Sequence, residues 1–468
     1  MAASRLTPAS VPSTLNLLTD LLDVLRDAGH PLEDKLLSYV IYPIRVILSR
    51  NDSSEIPNQL LEKIFLILAL LCEDLWWTCE IELWEQIFIL CGSVIGGIEG
   101  KGKAKAREDE TKEAAARCLF ALLRMRGDAD VVPPGGKSAA SRIAEFTENA
   151  SSQRFIPFLG RTLDAILSTA DSQHRPLQLV SLDLICVLLD VYFPDELTPT
   201  VLPGVVSSMT KLALGKGGNV GWAKGAVVGQ ALKVLQIVVT RSIGDDVCIR
   251  DGAVQHVQDL EDLVELLNPS APQPNATKPR PYFTSRTPSW LRGTASQLHI
   301  ALNTLTPLVS HTNPTALLAL ASLSSHILAN TALTLARSQP LLLSFLLSIS
   351  VSDAPGVGEE ARSELHQGEP HIAPSAAFVA GGFQGRASCG YYQRDVPARI
   401  AFRAQGWYFC DIGWSGDVVG SDGRHREVGL AIIVGPRAGR AVDGRLWDFY
   451  SAAHARERRR GGERSQLS

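Results

Sequence analysis

The segment Thr287-Pro288-Ser289-Trp290-Leu291-Arg292-Gly293-Thr294 opens a long apolar helix in this chain of 468 residues. Thr287 can cap the first turn through its hydroxyl, and Pro288 suits the first helical position, where no N–H is needed. The apolar residues that follow recur at steps of seven, four, three and four, which places them on one helix face. They are Leu291, Leu298, Leu302, Leu305 and Val309. A helix with such a seam must pack against other helices.

The composition agrees with a helical protein. Charged residues make up 20% of the chain and aromatic residues only 6%, a balance that favours helices over strands. The net charge of −4 gives the whole chain no attraction to nucleic acid or to an anionic membrane. The eight cysteines include no Cys-x-x-Cys pair, so we expect no zinc site or redox motif but reduced core thiols.

Helical periodicity runs almost without interruption from Val11 to about Val351, and many of the helices carry wide apolar stripes. Stacked helical layers require such stripes, because each helix packs on its hairpin partner and on the next repeat. We therefore predict an all-α fold, an α-solenoid of HEAT- or armadillo-like hairpins with units of about 40 residues. The predicted helices cover 11–28, 33–49, 57–72, 74–96, 110–125, 153–169, 176–192, 197–213, 222–241, 253–267, 288–310, 314–336 and 339–350.

The predicted domain organisation is a solenoid over residues 1–353 and an irregular segment over 354–468. From Gly356 onward the chain has fifteen Arg and no Lys, and the helical periodicity disappears. Two interpretations stay open for this segment. One is a gene-model artefact such as intron read-through or a frame change. The other is a disordered or small β-rich appendage.

No constellation in the sequence predicts catalysis or a cofactor. Gly135-Gly136-Lys137-Ser138 resembles the end of a phosphate-binding loop, but the earlier glycine is Val131 and the context is rich in proline. Gly413-Trp414-Ser415-Gly416-Asp417 lacks the closing glycine of a nucleophile elbow. The ten histidines show no ligand spacing. We expect a protein that is not an enzyme and that holds neither a cofactor nor a metal.

Three further expectations concern location and packing. Residues 1–14 lack the features of a signal peptide, so we expect a cytoplasmic protein, with the nucleus as a second compartment. The uncharged stretch from Thr315 to Ala336 could pass for a membrane span, but its polar residues favour a buried solenoid helix. Trp76, Trp77 and Trp84 are expected to fill space between helices or to form one side of a partner interface.

Two motifs give this chain a resemblance to a known family. The first is Leu37-Ser38-Tyr39-Val40-Ile41-Tyr42-Pro43-Ile44-Arg45-Val46-Ile47-Leu48, and the second is Arg286-Thr287-Pro288-Ser289-Trp290-Leu291-Arg292-Gly293-Thr294. Together they resemble the N-terminal region of the Tel-two-interacting protein one family over about residues 10–350. The motif positions taken as structural anchors are Tyr39, Pro43, Arg45, Trp290, Leu291 and Thr294.

The residues of the motifs also allow structural expectations. Pro43 lacks an N–H and should bend or split its helix. Tyr39, Val40, Ile44 and Ile47 should pack inward on one side. Trp290 and Leu291 should anchor their helix against a neighbour.

The resemblance implies a HEAT-repeat scaffold of the three-protein TTT complex, a co-chaperone that works with the ninety-kilodalton heat-shock chaperone. Such a scaffold helps assemble and stabilise phosphatidylinositol-3-kinase-related kinases. The implied partners are the other TTT subunits, these kinases and the heat-shock chaperone machinery, with no nucleic acid and no membrane. The alternative is another helical-repeat adaptor, such as a nuclear transport receptor or an assembly scaffold. Full-length members are more than twice as long as this chain, so the resemblance supports membership better than full activity.

Overall fold

The computed structural model describes residues 5–28, 34–51, 55–97, 107–127, 136–215, 223–254, 282–352 and 356–365. All of them belong to the first of two compact units, Met1–Phe383. These residues form an all-α structure in which no strand occurs. Its α-helices are α1 Val11–Asp27, α2 Asp34–Arg50, α3 Asn58–Leu75, α4 Ile81–Gly96, α5 Asp109–Leu123, α6 Ala139–Ala150, α7 Ile156–Thr169, α8 Arg175–Val187, α9 Thr198–Leu214, α10 Gly225–Ile243, α11 Asp245–Arg250, α12 Pro288–Thr304, α13 Pro314–Asn330 and α14 Gln339–Ser350.

The helices form two packed layers. In the first layer α1, α3, α5, α8, α10 and α13 stack in chain order, each against the next. In the second layer α4 packs on α7, and α9 contacts α12. The layers meet where α4 packs on α5, α9 on α10 and α14 on α13. This arrangement confirms the predicted all-α solenoid.

Local sequence signals explain where the helices begin. Proline occupies one of the first two positions of α1, α7, α8, α9, α12, α13 and α14, where its missing N–H leaves no helical bond unmade. Thr287 caps α12 as predicted, because its hydroxyl accepts a hydrogen bond from the backbone N–H of Trp290 at 3.2 Å. Gly97 ends α4 in the left-handed region, with φ of 66°, a conformation that glycine adopts without strain.

The predicted helices agree with the observed ones except in a few places. One predicted helix over 74–96 is wrong at its start, because α3 continues to Leu75 and a turn precedes α4. The prediction omitted α11 and α6. The buried face of α6 combines Phe146 with Arg142. A search for apolar periodicity misses such a face, because it assigns arginine to the surface. The predicted helix 253–267 lies almost wholly outside the described residues.

The predicted repeat unit of about 40 residues is wrong. Successive helices of the first layer begin at Asn58, Asp109, Arg175, Gly225 and Pro314, so the spacing is longer and irregular. One cause is α6, which is inserted between α5 and α7. Another is the distance in sequence from Arg250, where α11 ends, to Pro288, where α12 begins. Such insertions are compatible with a solenoid, because each hairpin needs only its neighbours for packing.

A cluster of aromatic rings confirms that the tryptophans fill space between helices. Trp76, Trp77 and Trp84 are all buried. The ring of Trp84 stacks on that of Phe146 at 5.2 Å between centroids and lies 6.0 Å from that of Tyr192. The hydroxyl of Tyr192 donates to the backbone oxygen of Leu123 at 3.0 Å. The cluster thus joins α4 and α6 to the ends of α5 and α8.

Helical structure continues beyond residue 353. Residues 357–365 are helical, and within them Val357 and Ala361 are fully buried one turn apart. The prediction that helical periodicity ends near 356 is therefore wrong for these residues, because a short Val-x-x-x-Ala seam is enough to dock one helix. Residues 366–468, which include most of the predicted irregular segment, lie outside the described part of the chain.

One helical stretch of the described residues has the length and composition of a membrane span. It is Gly225–Arg250, with a mean hydropathy of 1.3, and 56% of its apolar window is buried inside the protein. Since α10 packs on both α9 and α13, its apolar surface is used in the core. The stretch from Thr315 to Ala336 is not one helix, because α13 ends at Asn330.

Alanine substitutions at two glycines test the packing between α4 and α7. A Cβ added at Gly92 would lie 2.4 Å from Thr162 Oγ1 and 3.3 Å from its Cβ, whereas one added at Gly160 would meet none of the described atoms within 4 Å. We expect Gly92→Ala to lower the free energy of unfolding by roughly 1–2 kcal/mol, since overpacking outweighs the gain in helix propensity. Gly160→Ala should raise it by up to about 1 kcal/mol.

Urea unfolding of the two variants measures both changes. Adding Thr162→Ala to Gly92→Ala should recover part of the loss, because the clashing hydroxyl is then absent. Equal stability of the two single variants would contradict the close approach of α4 to α7.

Candidate functional site

An open groove runs across several first-layer elements. Its volume is about 890 Å³. It is lined by α8, α10 and α13 together with the helical residues 357–365. The lining residues are Leu179, Asp183, Ala226, Gly229, Gln230, Lys233, Gln236, Thr315, Leu318, Ala319, Ser322, Gly356, Glu360 and Glu364. We call this cavity the first-layer groove.

The first-layer groove has an apolar part and a polar part. Leu179, Leu318 and Ala319 supply apolar surface. α10 and α13 lie close together at Gly229, where an added Cβ would make ordinary van der Waals contact with Thr315 and Ala319, at 3.7 and 3.8 Å. The polar part consists of carboxylates, side-chain amides, the hydroxyl groups of Thr315 and Ser322, and one lysine. A cavity of this kind can hold a peptide or another helix.

The charged groups of the groove influence one another. Burial raises the pKa of the Asp183 carboxyl, and the nearby charge of Lys233 acts in the opposite direction. Burial lowers the pKa of His326, which lies on α13, and the charge of Glu364 opposes that shift. The carboxylates of residues 357–365 are therefore close enough to affect the first layer.

The second motif lies at the start of α12. Leu291 is buried, whereas Trp290 and Thr294 are only partly buried. Trp290 packs against the core, and the role of Trp290 and Leu291 as anchors of α12 stays a prediction. Thr294 lies one turn after Trp290 on the same helix.

The first motif lies on α2, and its exposure differs from the expectation. Ile44 and Ile47 are buried as predicted, but Tyr39 is 77% exposed and Tyr42 is 67% exposed. Arg45 is also exposed. The inward packing predicted for Tyr39 is wrong, because Tyr39 lies away from the face that carries Ile44 and Ile47.

Pro43 does not split its helix. α2 is continuous from Asp34 to Arg50 with Pro43 inside it. Proline removes the N–H that would bond to the carbonyl of Tyr39, four residues earlier. Since Tyr39 is exposed, water can take the place of that donor, and the predicted break is not needed.

The two motifs do not form one site. α2 packs on α3 in the first hairpin, whereas α12 contacts α9 much later in the array. Each motif therefore acts within its own part of the solenoid. Neither of them contributes to the lining of the first-layer groove.

Sequence reasoning gave no role to the arginines that are buried between helices. Arg142 is only 1% exposed. It donates to the backbone oxygens of Trp76 at 3.0 Å and Cys79 at 2.7 Å, and to Glu145 at 2.8 Å. Those two oxygens follow directly after α3, where helical carbonyls have no helical partner. Arg142 thus ties α6 to the end of α3.

Arg286, the first residue of the second motif, has a similar role. Its guanidinium donates to the backbone oxygens of Ser242 at 2.8 Å and Asp195 at 2.6 Å. It also forms an ion pair with Asp251 at 2.7 Å. The sequence places Arg286 just before the cap of α12. An arginine at such a position can be exposed or buried, so its position alone did not predict the buried contact.

Two features of the described residues bear on chemistry. They include no group of three or more His, Cys, Asp or Glu that could hold a metal ion. The six described cysteines are Cys72, Cys79, Cys91, Cys118, Cys186 and Cys248, all of them buried and free. Burial raises the pKa of the Cys79 thiol to about 11 and that of Cys186 to about 12, so these two thiols are poor nucleophiles.

Comparison with known families agrees with the architecture. The family described as the TTI1 N-terminal TPR domain matches residues 5–353 of the chain. The chain belongs to the TTI1 family. This match confirms the resemblance to the Tel-two-interacting protein one family and its limitation to the N-terminal region. No curated protein matches the chain significantly.

Membership of the TTI1 family shows what kind of molecule this is. The chain is a helical-repeat scaffold of a family that works through protein–protein contacts. Both motifs fall inside the matched residues 5–353. The first-layer groove extends slightly beyond them, because Gly356, Glu360 and Glu364 line one side of it.

The buried position of Arg142 leads to a stability prediction. Arg142→Met should lower the free energy of unfolding by about 3–5 kcal/mol, because it leaves two buried carbonyls without their donor and breaks the ion pair with Glu145, which keeps Lys137 as its partner. The control is Arg154→Met, which removes an ion pair between the exposed Arg154 and Glu85 at 2.6 Å. It should cost no more than about 1 kcal/mol. Similar losses in chemical denaturation would contradict the role given to Arg142.

His326 leads to a prediction of pH dependence. Burial lowers its pKa in the folded chain, so the unfolded chain binds the proton more tightly, and stability falls as pH drops below about 6.5. The raised pKa of Asp183 has the opposite effect, because ionisation of a carboxyl is then disfavoured in the folded chain. We expect His326→Gln to reduce the gain in melting temperature between about pH 5 and pH 7. An unchanged gain would contradict the burial of His326.

Proposed function

We propose that this chain is a non-enzymatic scaffold of the TTT co-chaperone complex that helps assemble and stabilise phosphatidylinositol-3-kinase-related kinases. The observation that carries the proposal is the family match over residues 5–353. The described fold supports it, because stacked hairpins present a long surface to partners.

The proposed partners are the other TTT subunits, the kinases themselves and the heat-shock chaperone machinery. A scaffold of this kind needs no cofactor. Its proposed location is the cytoplasm, with the nucleus as a second compartment. Fluorescence microscopy of the tagged chain in its source cells tests the location separately from the partners.

The exposed motif on α2 is the part of the solenoid that we assign to partner contact. Tyr39, Tyr42 and Arg45 lie at steps of three along the helix, and tyrosine and arginine are residue types enriched where partners bind most strongly. Pro43 lies in the same stretch. Trp290, Leu291 and Thr294 keep the different role of anchoring α12, because they are buried or partly buried.

Affinity purification of the tagged full chain from its source cells tests the proposal. We expect the TTT subunits and the large kinases to be recovered with it, and kinase abundance to fall when the chain is depleted while kinase messenger RNA is unchanged. Recovery of nuclear-pore and cargo proteins instead would favour a transport receptor. Normal kinase abundance after complete depletion would contradict the proposed function.

Two tyrosine-to-alanine variants test the partner surface on α2. Tyr39→Ala should reduce kinase or subunit recovery several-fold without lowering the melting temperature, because the side chain is exposed. The control is Tyr282→Ala, which removes another exposed tyrosine, 59% accessible, near the start of α12. Equal recovery of partners with both variants would show that Tyr39 is not part of the partner surface. It would not contradict the proposed scaffold function.

A further inference from the structure

The first-layer groove presents more hydrogen-bond acceptors than its own residues satisfy. The side-chain oxygen of Gln230 is buried and has no hydrogen-bond donor among the described residues. Asp183, on the neighbouring α8, is partly buried, and the charge of Lys233 acts on its carboxyl. A buried acceptor without a donor costs free energy, so a molecule that brings N–H groups into the groove would gain these bonds.

The charges of the groove also favour a ligand that carries hydrogen-bond donors. Three carboxylates line it, those of Asp183, Glu360 and Glu364, against the single ammonium group of Lys233. Glu360 and Glu364 are four residues apart in the helical run 357–365, so their side chains lie on one helix face about 6 Å apart. Two cationic side chains at the same spacing on a facing helix would match them.

The apolar part of the groove narrows the choice of ligand. Leu179, Leu318 and Ala319 offer a surface that a small inorganic cation would leave uncovered. An amphipathic helix covers such a surface with its apolar side and turns its charged side toward the carboxylates. Arginine suits this position better than lysine, because its planar fork can donate to two acceptors at once.

We propose that the first-layer groove binds an amphipathic helix of a partner protein whose polar face carries arginines one turn apart. The proposal rests on the proposed scaffold function, and it names the chemistry of one client segment. It concerns α8, α10, α13 and residues 357–365, and not the surface on α2. The two surfaces can therefore be tested independently.

The test is the binding of a defined peptide to the full chain. The probe is an alanine- and leucine-containing helical peptide of about 15 residues with arginine at every fourth position. The control peptide has glutamate at the same positions. We expect saturable binding of the arginine peptide that weakens as salt is added, and no binding of the glutamate peptide. Failure of the arginine peptide to bind at low salt would overturn the proposal, as would equal binding of both peptides.

Neighbouring glutamates provide a matched pair of variants. Glu360→Gln combined with Glu364→Gln should weaken the peptide by roughly threefold to tenfold, because two charge-assisted bonds are lost. Glu359→Gln changes an exposed carboxylate of the same helical run that does not line the groove, and the dissociation constant should stay within about twofold. An equal weakening by Glu359→Gln would mean that only the overall charge matters.

A variant at Gln230 distinguishes an effect on peptide binding from an effect on folding. Gln230→Met keeps the length of the side chain and removes the buried oxygen that lacks a donor. The melting temperature should stay the same or rise, while the arginine peptide binds several-fold more weakly. Unchanged peptide affinity would exclude Gln230 from the binding surface. If kinases are absent from the purified complex but the peptide still binds, helix binding by the first-layer groove is supported and the proposed function is contradicted.

Discussion

Buried arginines that bind the carboxyl ends of helices connect one hairpin of this solenoid to the next. The last carbonyls of a helix have no helical donor and carry a partial negative charge. Arg126 donates to the oxygens of Cys72 and Ala121, near the ends of α3 and α5. Arg286 reaches the oxygen of Ser242 near the end of α10, and the partly buried Arg241 reaches those of Leu189 and Phe193 after α8. An arginine fork supplies several donors to such a place without leaving its charge unpaired.

These contacts complement the apolar stacking of the first layer. Apolar burial favours association of the helices but does not fix their position along the axis, since it is non-directional. Hydrogen bonds from a guanidinium group are directional and fix the ends of neighbouring helices in register. The carboxylates beside them keep the charge balanced, as Glu73 does for Arg126 at 2.9 Å and Asp251 does for Arg286. Arg142 extends the same arrangement to the inserted α6.

A core built in this way leaves the surface available for partners. The two surfaces differ in chemistry, because α2 exposes Tyr39, Tyr42 and Arg45, whereas the first-layer groove combines apolar side chains with three carboxylates and one lysine. Each contains side chains from only one local part of the array. A solenoid can therefore hold different partners at separate positions, since contacts within it are local. This property suits a scaffold better than an enzyme, which needs its reacting groups to converge on one point.

The sequence by itself determined most of the helices and the all-α class, because proline at helix starts, the cap at Thr287 and the seam from Leu291 to Leu305 are local signals. The motifs were also sufficient for the family. Only the tertiary structure decided the direction that side chains on those helices face. Tyr39 lies outward and Arg142 inward, against the expectation from their residue types, because exposure depends on which helix covers which face. The groove could not be predicted for the same reason, since α8, α10, α13 and residues 357–365 come together only when the hairpins stack.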